Sequence, residues 1–416
     1  MPTINDRNIA YGELILLLAF MTSLGALTID LQLPAMPLIL QSFGLAAANQ
    51  QQWMITAYMF GFAGAQIFYG PISDSFGRKP VLLFGLVVYV LASVACLLAD
   101  SYWLFLISRG LQGVGAAAAR IMVNAITRDF FKGNEMAKVT SLVMLIFIMV
   151  PVFAPALGSV ILLLGDWHLI LWVYMGFGVL VMLWSMLRLP ESLAIENKKP
   201  LRLGRIKTAF VQVVSEPLSM SFAVISGVIF AGFMAYLNAA EQIYSQIYDA
   251  KKHFPYLFGG IALFFGLAAF INAKIVMRFG AMQVTFYGMM VLLLANLVSL
   301  MLVMLYAGIP PLWLFVVMMA SINVCIGLAY GNLMAIAMLP LGNVAGMGAS
   351  VIGTISAILA AGIGIFISQQ LKDTLMPIML GFTITSMLAF LLVNYFRHHP
   401  TDELTELSQS SDAASN

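Results

Sequence analysis

Stretches of about 20 apolar residues, separated by short polar or Pro/Gly-containing breaks, recur along almost all of this 416-residue sequence. A bilayer core about 30 Å thick takes roughly 20 helical residues, so each stretch is long enough to cross it. The short alternating segments of a membrane barrel are absent. Charged residues make up 9% of the chain and hydrophobic ones 62%, too little charge for a soluble globule of this size. The chain reads as an all-α integral membrane protein.

The breaks place spans near residues 11–38, 49–72, 79–99, 102–128, 136–164 and 167–189, then near 218–248, 254–277, 282–307, 311–338, 344–370 and 373–396. The first run ends in prolines rather than an Ala-x-Ala site, so it reads as a span and not as a cleavable signal. Twelve transmembrane helices are therefore expected. Lysine and arginine counts orient them: with both termini cytoplasmic, that side carries fifteen bases and the outer loops only Lys251, Lys252 and Lys372. The remaining two bases, Arg109 and Arg120, fall inside spans.

Residues 190–217 hold the longest internal polar stretch and read as a cytoplasmic linker, with an amphipathic segment from Leu201 to Phe210 on the membrane surface. It separates a bundle over 1–189 from a second over 218–399, and the polar, serine-rich 400–416 reads as a disordered tail. A faint repeat supports two halves: Ser75-Phe76-Gly77 after the second run matches Arg278-Phe279-Gly280 after the eighth. Two parallel repeats with a site between them is a transporter layout. The net charge of +2 with scattered bases gives no case for nucleic acid. Cys96 and Cys325 lie within apolar runs and read as small core residues.

The segment YGPISDSFGRKP (Tyr69–Pro80) spends scarce charge in one turn. Its Gly70-x-x-x-Asp74-x-x-Gly77-Arg78-Lys79 pattern resembles the loop motif between helices two and three of the major facilitator superfamily. RGLQGVGAA (Arg109–Ala117) resembles that family's fourth-helix motif, and RDFF from Arg128 follows it as in drug/proton antiporters. VPVFAPALGS (Val150–Ser159), with Pro151, Pro155 and Gly158, resembles the antiporter motif of helix five, except that Ser159 replaces the second glycine of the usual pair. TIDLQLPAMP (Thr28–Pro37) and the second run are similar to the Bcr/CflA group of bacterial drug/proton antiporters. The agreement is dense from about residue 25 to 193 and thin afterwards.

The resemblance implies two six-helix bundles in the major facilitator fold, a small-molecule substrate, coupling to protons, no cofactor, a monomer in the lipid bilayer and a bacterial inner-membrane location. In the loop, glycine allows close backbone approach and Arg78 with Lys79 holds the turn on the cytoplasmic side. Asp74 is then free to pair with a base on a neighbouring helix end, with Arg128 the natural candidate. The resemblance further implies that Asp74 faces the start of the eleventh helix, near Ala345–Gly348, as a conformational latch. The plainer alternative is that the loop only marks topology.

Ionisable groups inside spans are costly and point to function. Asp30 lies seven residues before Pro37, and Arg109 seven after Tyr102. At 1.5 Å of rise per residue both sit about 10 Å below the outer boundary. Burial disfavours the charge on Asp30 and a guanidinium nearby favours it, so small changes could decide whether it holds a proton. A static ion pair joining the first and fourth spans is the alternative. Glu241 is a second titrating group, an anchor for a substrate cation, or an acid reaching interfacial water. Arg120 either pairs with an acid or recognises an anionic substrate. Glu13 reads as interfacial. Tyr58, Gln66, Tyr236, Asn238 and Gln242 are further candidates to line a cavity.

Enzyme signatures such as His-Glu-x-x-His, Gly-x-Ser-x-Gly and a phosphate loop are missing, and His168, His253, His398 and His399 sit at loops or ends, so no metal site and no enzyme activity are expected. The expected function is drug/proton export. Export of a specific anionic metabolite or siderophore is the alternative, and import on the same scaffold a third.

Overall fold

The structure is a computed structural model that describes residues 9–198 and 200–399. The expected tail at 400–416, and Arg7 and Lys199 of the charge count, lie outside the described residues. Fourteen α-helices and no strand occur among the described residues. They are α1 (Tyr11–Asp30), α2 (Met36–Ser42), α3 (Trp53–Phe76), α4 (Arg78–Leu97), α5 (Tyr102–Phe130), α6 (Gly133–Leu164) and α7 (His168–Arg188), then α8 (Leu203–Val214), α9 (Pro217–Gln242), α10 (Phe254–Phe279), α11 (Ala281–Leu305), α12 (Leu312–Met338), α13 (Ala345–Ser368) and α14 (Met376–His398). Ten of these segments are long and apolar enough to cross a membrane. Of the other long helices, α3 carries Gln66 and Asp74, and α5 carries Arg109, Gln112, Arg120, Arg128 and Asp129.

The chain divides into two compact units, residues 1–207 and 208–416. Within each, the packing follows one pattern. In the first, α1 packs on α6, α3 on α5, and α4 on both α5 and α7. In the second, α9 packs on α13, α10 on α12, and α11 on both α12 and α14. The Phe-Gly repeat falls at matching turns: Gly77 (φ 111°) joins α3 to α4 and Gly280 (φ 78°) joins α10 to α11. Positive φ is the reason for glycine at both places, since a side chain would clash there.

Two expected spans are interrupted. The first run does not continue as one helix to residue 38. It stops at Asp30, makes a 3₁₀ turn over Leu33–Ala35 and resumes as α2. Pro34 sits at the start of that turn, where its missing N–H and fixed φ are tolerated, while they would break a continuing helix. The seventh run leaves the α-helix at Gln242 and finishes in a π turn over Ile243–Ile247.

Candidate functional site

The last carbonyls of a helix have no partner within it. At the end of α1 one of them becomes a hub. The Thr28 carbonyl accepts from Arg109 Nη2 (3.1 Å) and from the Tyr174 hydroxyl (3.0 Å). The Thr28 hydroxyl donates to Leu24 O (2.6 Å), so in its 2.7 Å contact with Tyr89 the tyrosine donates. Arg109 also donates to Gln112 Oε1 (2.6 Å) and, at 3.5 Å, to Met54 O. Gln112 passes the network on to Ser93 Oγ at 2.7 Å. Tyr58 and Tyr174 rings lie 5.1 and 5.8 Å from the guanidinium carbon. A cation at a helix C-terminus also offsets the helix dipole.

Asp30 is 5% exposed and Arg109 is fully buried, yet no ion pair joins them among the described residues. This removes the static pair as a reading of the two charges. The guanidinium fork is turned toward carbonyl and amide oxygens, including that of Thr28, two residues before the carboxylate. An uncompensated carboxylate there costs several kcal/mol, and binding a proton or a cation removes that cost.

Close helix contacts place these groups. A Cβ at Gly115 would lie 2.5 Å from the Tyr89 nitrogen of α4, and one at Gly113 would overlap the Tyr58 carbonyl of α3. The glycines of RGLQGVG thus bring α3 and α4 against α5 around Arg109. In α6, Pro151 and Pro155 remove two donors from the ladder. Gly158 lets α6 press on the break in α1: a Cβ there would overlap the Leu31 carbonyl oxygen and come within 3.2 Å of Pro34 Cγ. Ser159 donates back to Pro155 O at 3.0 Å.

At the α3–α4 turn the expected Asp74–Arg128 pair does not form. Asp74 pairs with Arg78 at 2.6 Å, and Arg78 Nε reaches Asp129 Oδ2 at 3.1 Å. Neighbouring helical positions point about 100° apart, so only one of Arg128 and Asp129 can face Arg78, and the acid is favoured. Arg128 is exposed. Ser192 donates to the same Asp129 oxygen at 3.0 Å. Glu191, placed by sequence in the linker, caps α4 instead: its carboxylate accepts from the backbone nitrogens of Arg78 (2.9 Å), Lys79 (3.2 Å) and Leu193 (3.0 Å). Lys79 Nζ donates to Met186 O at 2.8 Å. Gly70 is half-buried in α3, one turn before Asp74.

Among the other candidates, Tyr58 is buried with its hydroxyl 3.5 Å from Gly25 O, and Gln66 is buried in α3. Arg120 is half-buried, its guanidinium 5.4 Å from the Phe147 ring centroid. Tyr236, Asn238, Glu241 and Gln242 are all buried in the last two turns of α9. At 2% exposure, Glu241 is not an interfacial acid reaching water. Tyr236 stacks on Phe258, and its hydroxyl lies 3.3 Å from that of Tyr244. Glu13 does sit at a helix end, held by Trp184 Nε1 (3.1 Å) and both arms of Arg188 (2.8 Å). No group of three metal-ligating side chains occurs among the described residues.

Residues 18–365 match the Major Facilitator Superfamily. The chain belongs to that superfamily. It is 31% identical over 352 residues to YdgK, an uncharacterized MFS-type transporter of Bacillus subtilis, covering 83% of this chain and 86% of that one. It is 27% identical to a bicyclomycin resistance protein homolog of Haemophilus influenzae, over 92% and 95% of the two chains. The crystal structure of a D-xylose–proton symporter superposes with a TM-score of 0.73 at 13% identity, covering 91% of this chain and 97% of that one, and this likeness shows the fold. This major facilitator protein is a multi-pass transporter of the bacterial inner membrane, similar to a protein named for bicyclomycin resistance, and not an enzyme.

Sequence reasoning missed Thr28, Tyr89, Gln112 and Tyr174 around Arg109, and Asp129 and Glu191 at the turn. Gln112 had a signal: it stands three residues after Arg109, the spacing of helical neighbours. Thr28 acts mainly through its carbonyl, which no residue type announces.

Proposed function

We propose that this transporter exports drugs or other small amphipathic compounds in exchange for protons, with Asp30 as the group that alternates between them. The carrying observation is a carboxylate buried at the end of α1 with no base within ion-pair distance among the described residues. A proton and a cationic cargo each relieve the same buried charge, so each displaces the other, and displacement is what antiport requires. Arg109 holds the end of α1, and with it the position of Asp30, through the Thr28 carbonyl.

Similarity to a bicyclomycin resistance protein homolog supports a drug as cargo. In this reading twelve spans form bundles over 1–189 and 218–399 joined by a linker at 190–217, both termini are cytoplasmic, and the transporter is a monomer. The lysine and arginine asymmetry supports that orientation. Gly70, Asp74, Gly77, Arg78 and Lys79 form the cytoplasmic latch, with Asp129 and Glu191 as its acids. Pro151, Pro155 and Gly158 seat α1. Tyr58 and Gln66 in the first unit, and Tyr236, Asn238, Glu241 and Gln242 in the second, are each unit's candidates to contact cargo. A second reading, export of a specific anionic metabolite, is favoured by Arg120 in the middle of α5.

Purified protein in sealed liposomes tests the exchange. An imposed pH difference drives a cationic dye uphill in the wild type, and Asp30→Asn abolishes the uphill movement while leaving downhill flux. Uphill transport retained by Asp30→Asn would remove Asp30 from the coupling.

A further inference from the structure

Among the described residues every α-helix but one packs closely on a second helix or turn, and the exception is α8. It has 12 residues, and an isolated helix of that length is marginal in water. Something other than a neighbouring helix has to cover it.

The surface of α8 narrows the choice. Lys207, Phe210, Val211 and Val214 recur at i, i+3, i+4 and i+7, so they share one face, and all four are exposed. Val213, on another side, is buried against the rest of the chain. No ion pair engages the Lys207 ammonium among the described residues, and its four-carbon stem can lie along the apolar face with the charge raised to the headgroups. Lys198, Lys199, Arg202, Arg205 and Lys207 put five bases within ten residues, and no acid follows them until Glu216. Bases at the start of a helix oppose its dipole, and α8 has no acid in its first turn to offset them, so they do not serve the helix itself.

Only Ser215 and Glu216 separate α8 from α9, which opens a segment long and apolar enough to cross a membrane. Three residue steps span at most about 11 Å, so the bilayer surface lies within reach of the exposed face. An apolar stripe accompanied by bases fits an interface with anionic headgroups, where each base strengthens attachment about fivefold. The amphipathic segment expected from Leu201 to Phe210 thus runs on to Val214.

We propose that α8 is an anchor for anionic phospholipid: Phe210, Val211 and Val214 enter the acyl boundary of the cytoplasmic leaflet, and Lys207 with Arg202 holds the headgroup phosphates. The linker is fastened at its other end, where Glu191 accepts from the Arg78 and Lys79 nitrogens and Lys198 donates to Phe76 O at 3.4 Å. An anchored α8 therefore fixes the path of the chain from the α3–α4 turn to α9, and anionic lipid raises kcat. The choice of leaflet rests on the cytoplasmic orientation proposed above; the lipid class rests on α8 alone.

The test uses full-length protein with Val211→Cys carrying an environment-sensitive fluorophore; Cys96 and Cys325 are buried. It is reconstituted in phosphatidylcholine vesicles with increasing phosphatidylglycerol. In an otherwise wild-type chain the emission should shift to the blue, and kcat for a cationic dye should rise along the same titration; kcat is read because an anionic surface enriches the dye without altering it. Lys207→Gln should raise the phosphatidylglycerol content needed for half of either response by about fivefold, and Lys207→Arg should restore it. Arg202→Gln should act like Lys207→Gln and serves if that variant does not fold. Emission equally blue without phosphatidylglycerol, a titration that neither glutamine variant moves, or a response that follows protein density and so belongs to a second copy would overturn the anchor. A blue shift with unchanged kcat would overturn the effect on rate. The fluorophore responds without cargo or a pH difference, so loss of the exchange reading leaves this result standing.

Discussion

If Arg109 clamps a helix end rather than neutralising Asp30, the two residues should differ sharply in what their replacement does to stability. Asp30→Asn is close in shape to a protonated carboxyl and breaks no ion pair, so it should cost less than about 1 kcal/mol. Arg109→Lys keeps the charge, but one ammonium cannot reproduce a fork that binds Gln112 Oε1 at 2.6 Å and Thr28 O at 3.1 Å. Tyr174 still satisfies the Thr28 carbonyl, so the main loss is one charge-assisted bond and an orphaned buried amide oxygen. At about 1.5–3 and 1–3 kcal/mol respectively, that makes roughly 2–5 kcal/mol. Denaturant-induced unfolding in mixed micelles, followed by tryptophan fluorescence, measures both. An Asp30→Asn penalty of about 3–5 kcal/mol, matching that of Arg109→Lys, is the signature of a broken buried ion pair and would refute the clamp.

Two further substitutions probe how α1 and the loop are held. Gly158→Ala should push α6 off the Leu31 carbonyl, costing about 1–3 kcal/mol of packing and lowering the exchange rate; normal flux with unchanged unfolding would mean that the break in α1 is not seated by α6. Glu191→Gln should weaken the cap on α4 by about 1 kcal/mol and speed labelling of a cysteine placed at Ser75 by a membrane-impermeant maleimide, whereas unaltered labelling would show that the cap does not order the turn.

Helix boundaries were legible where punctuation is strong. The third to sixth spans begin and end within a few residues of α4 to α7, because Gly77, Ser101, Gly165 and Pro190 interrupt the apolar runs. The break in α1 was not legible, since Leu31 to Pro37 stays apolar and proline is as acceptable in the first turn of a new helix as at the end of an old one. The π turn after Gln242 likewise leaves no mark on a hydropathy pattern. For the site, residue counting gave Asp30 and Arg109 a common depth, but depth carries no direction around the helix, and the partner of Arg109 proved to be a backbone oxygen. The sequence pairs Asp74 with Arg128, the base at the end of the fourth span, and gives Asp129 no role. Arg78, four residues after Asp74, already pairs with it. Glu191 was hidden because its partners are backbone nitrogens more than a hundred positions earlier in the chain.

Proton release on cargo binding tests the central claim most directly. Adding a transported cation to purified protein in weakly buffered detergent should acidify the solution in proportion to the sites filled, and Asp30→Asn should bind the cation without acidification. Equal acidification from wild type and Asp30→Asn would place the exchanged proton on another group.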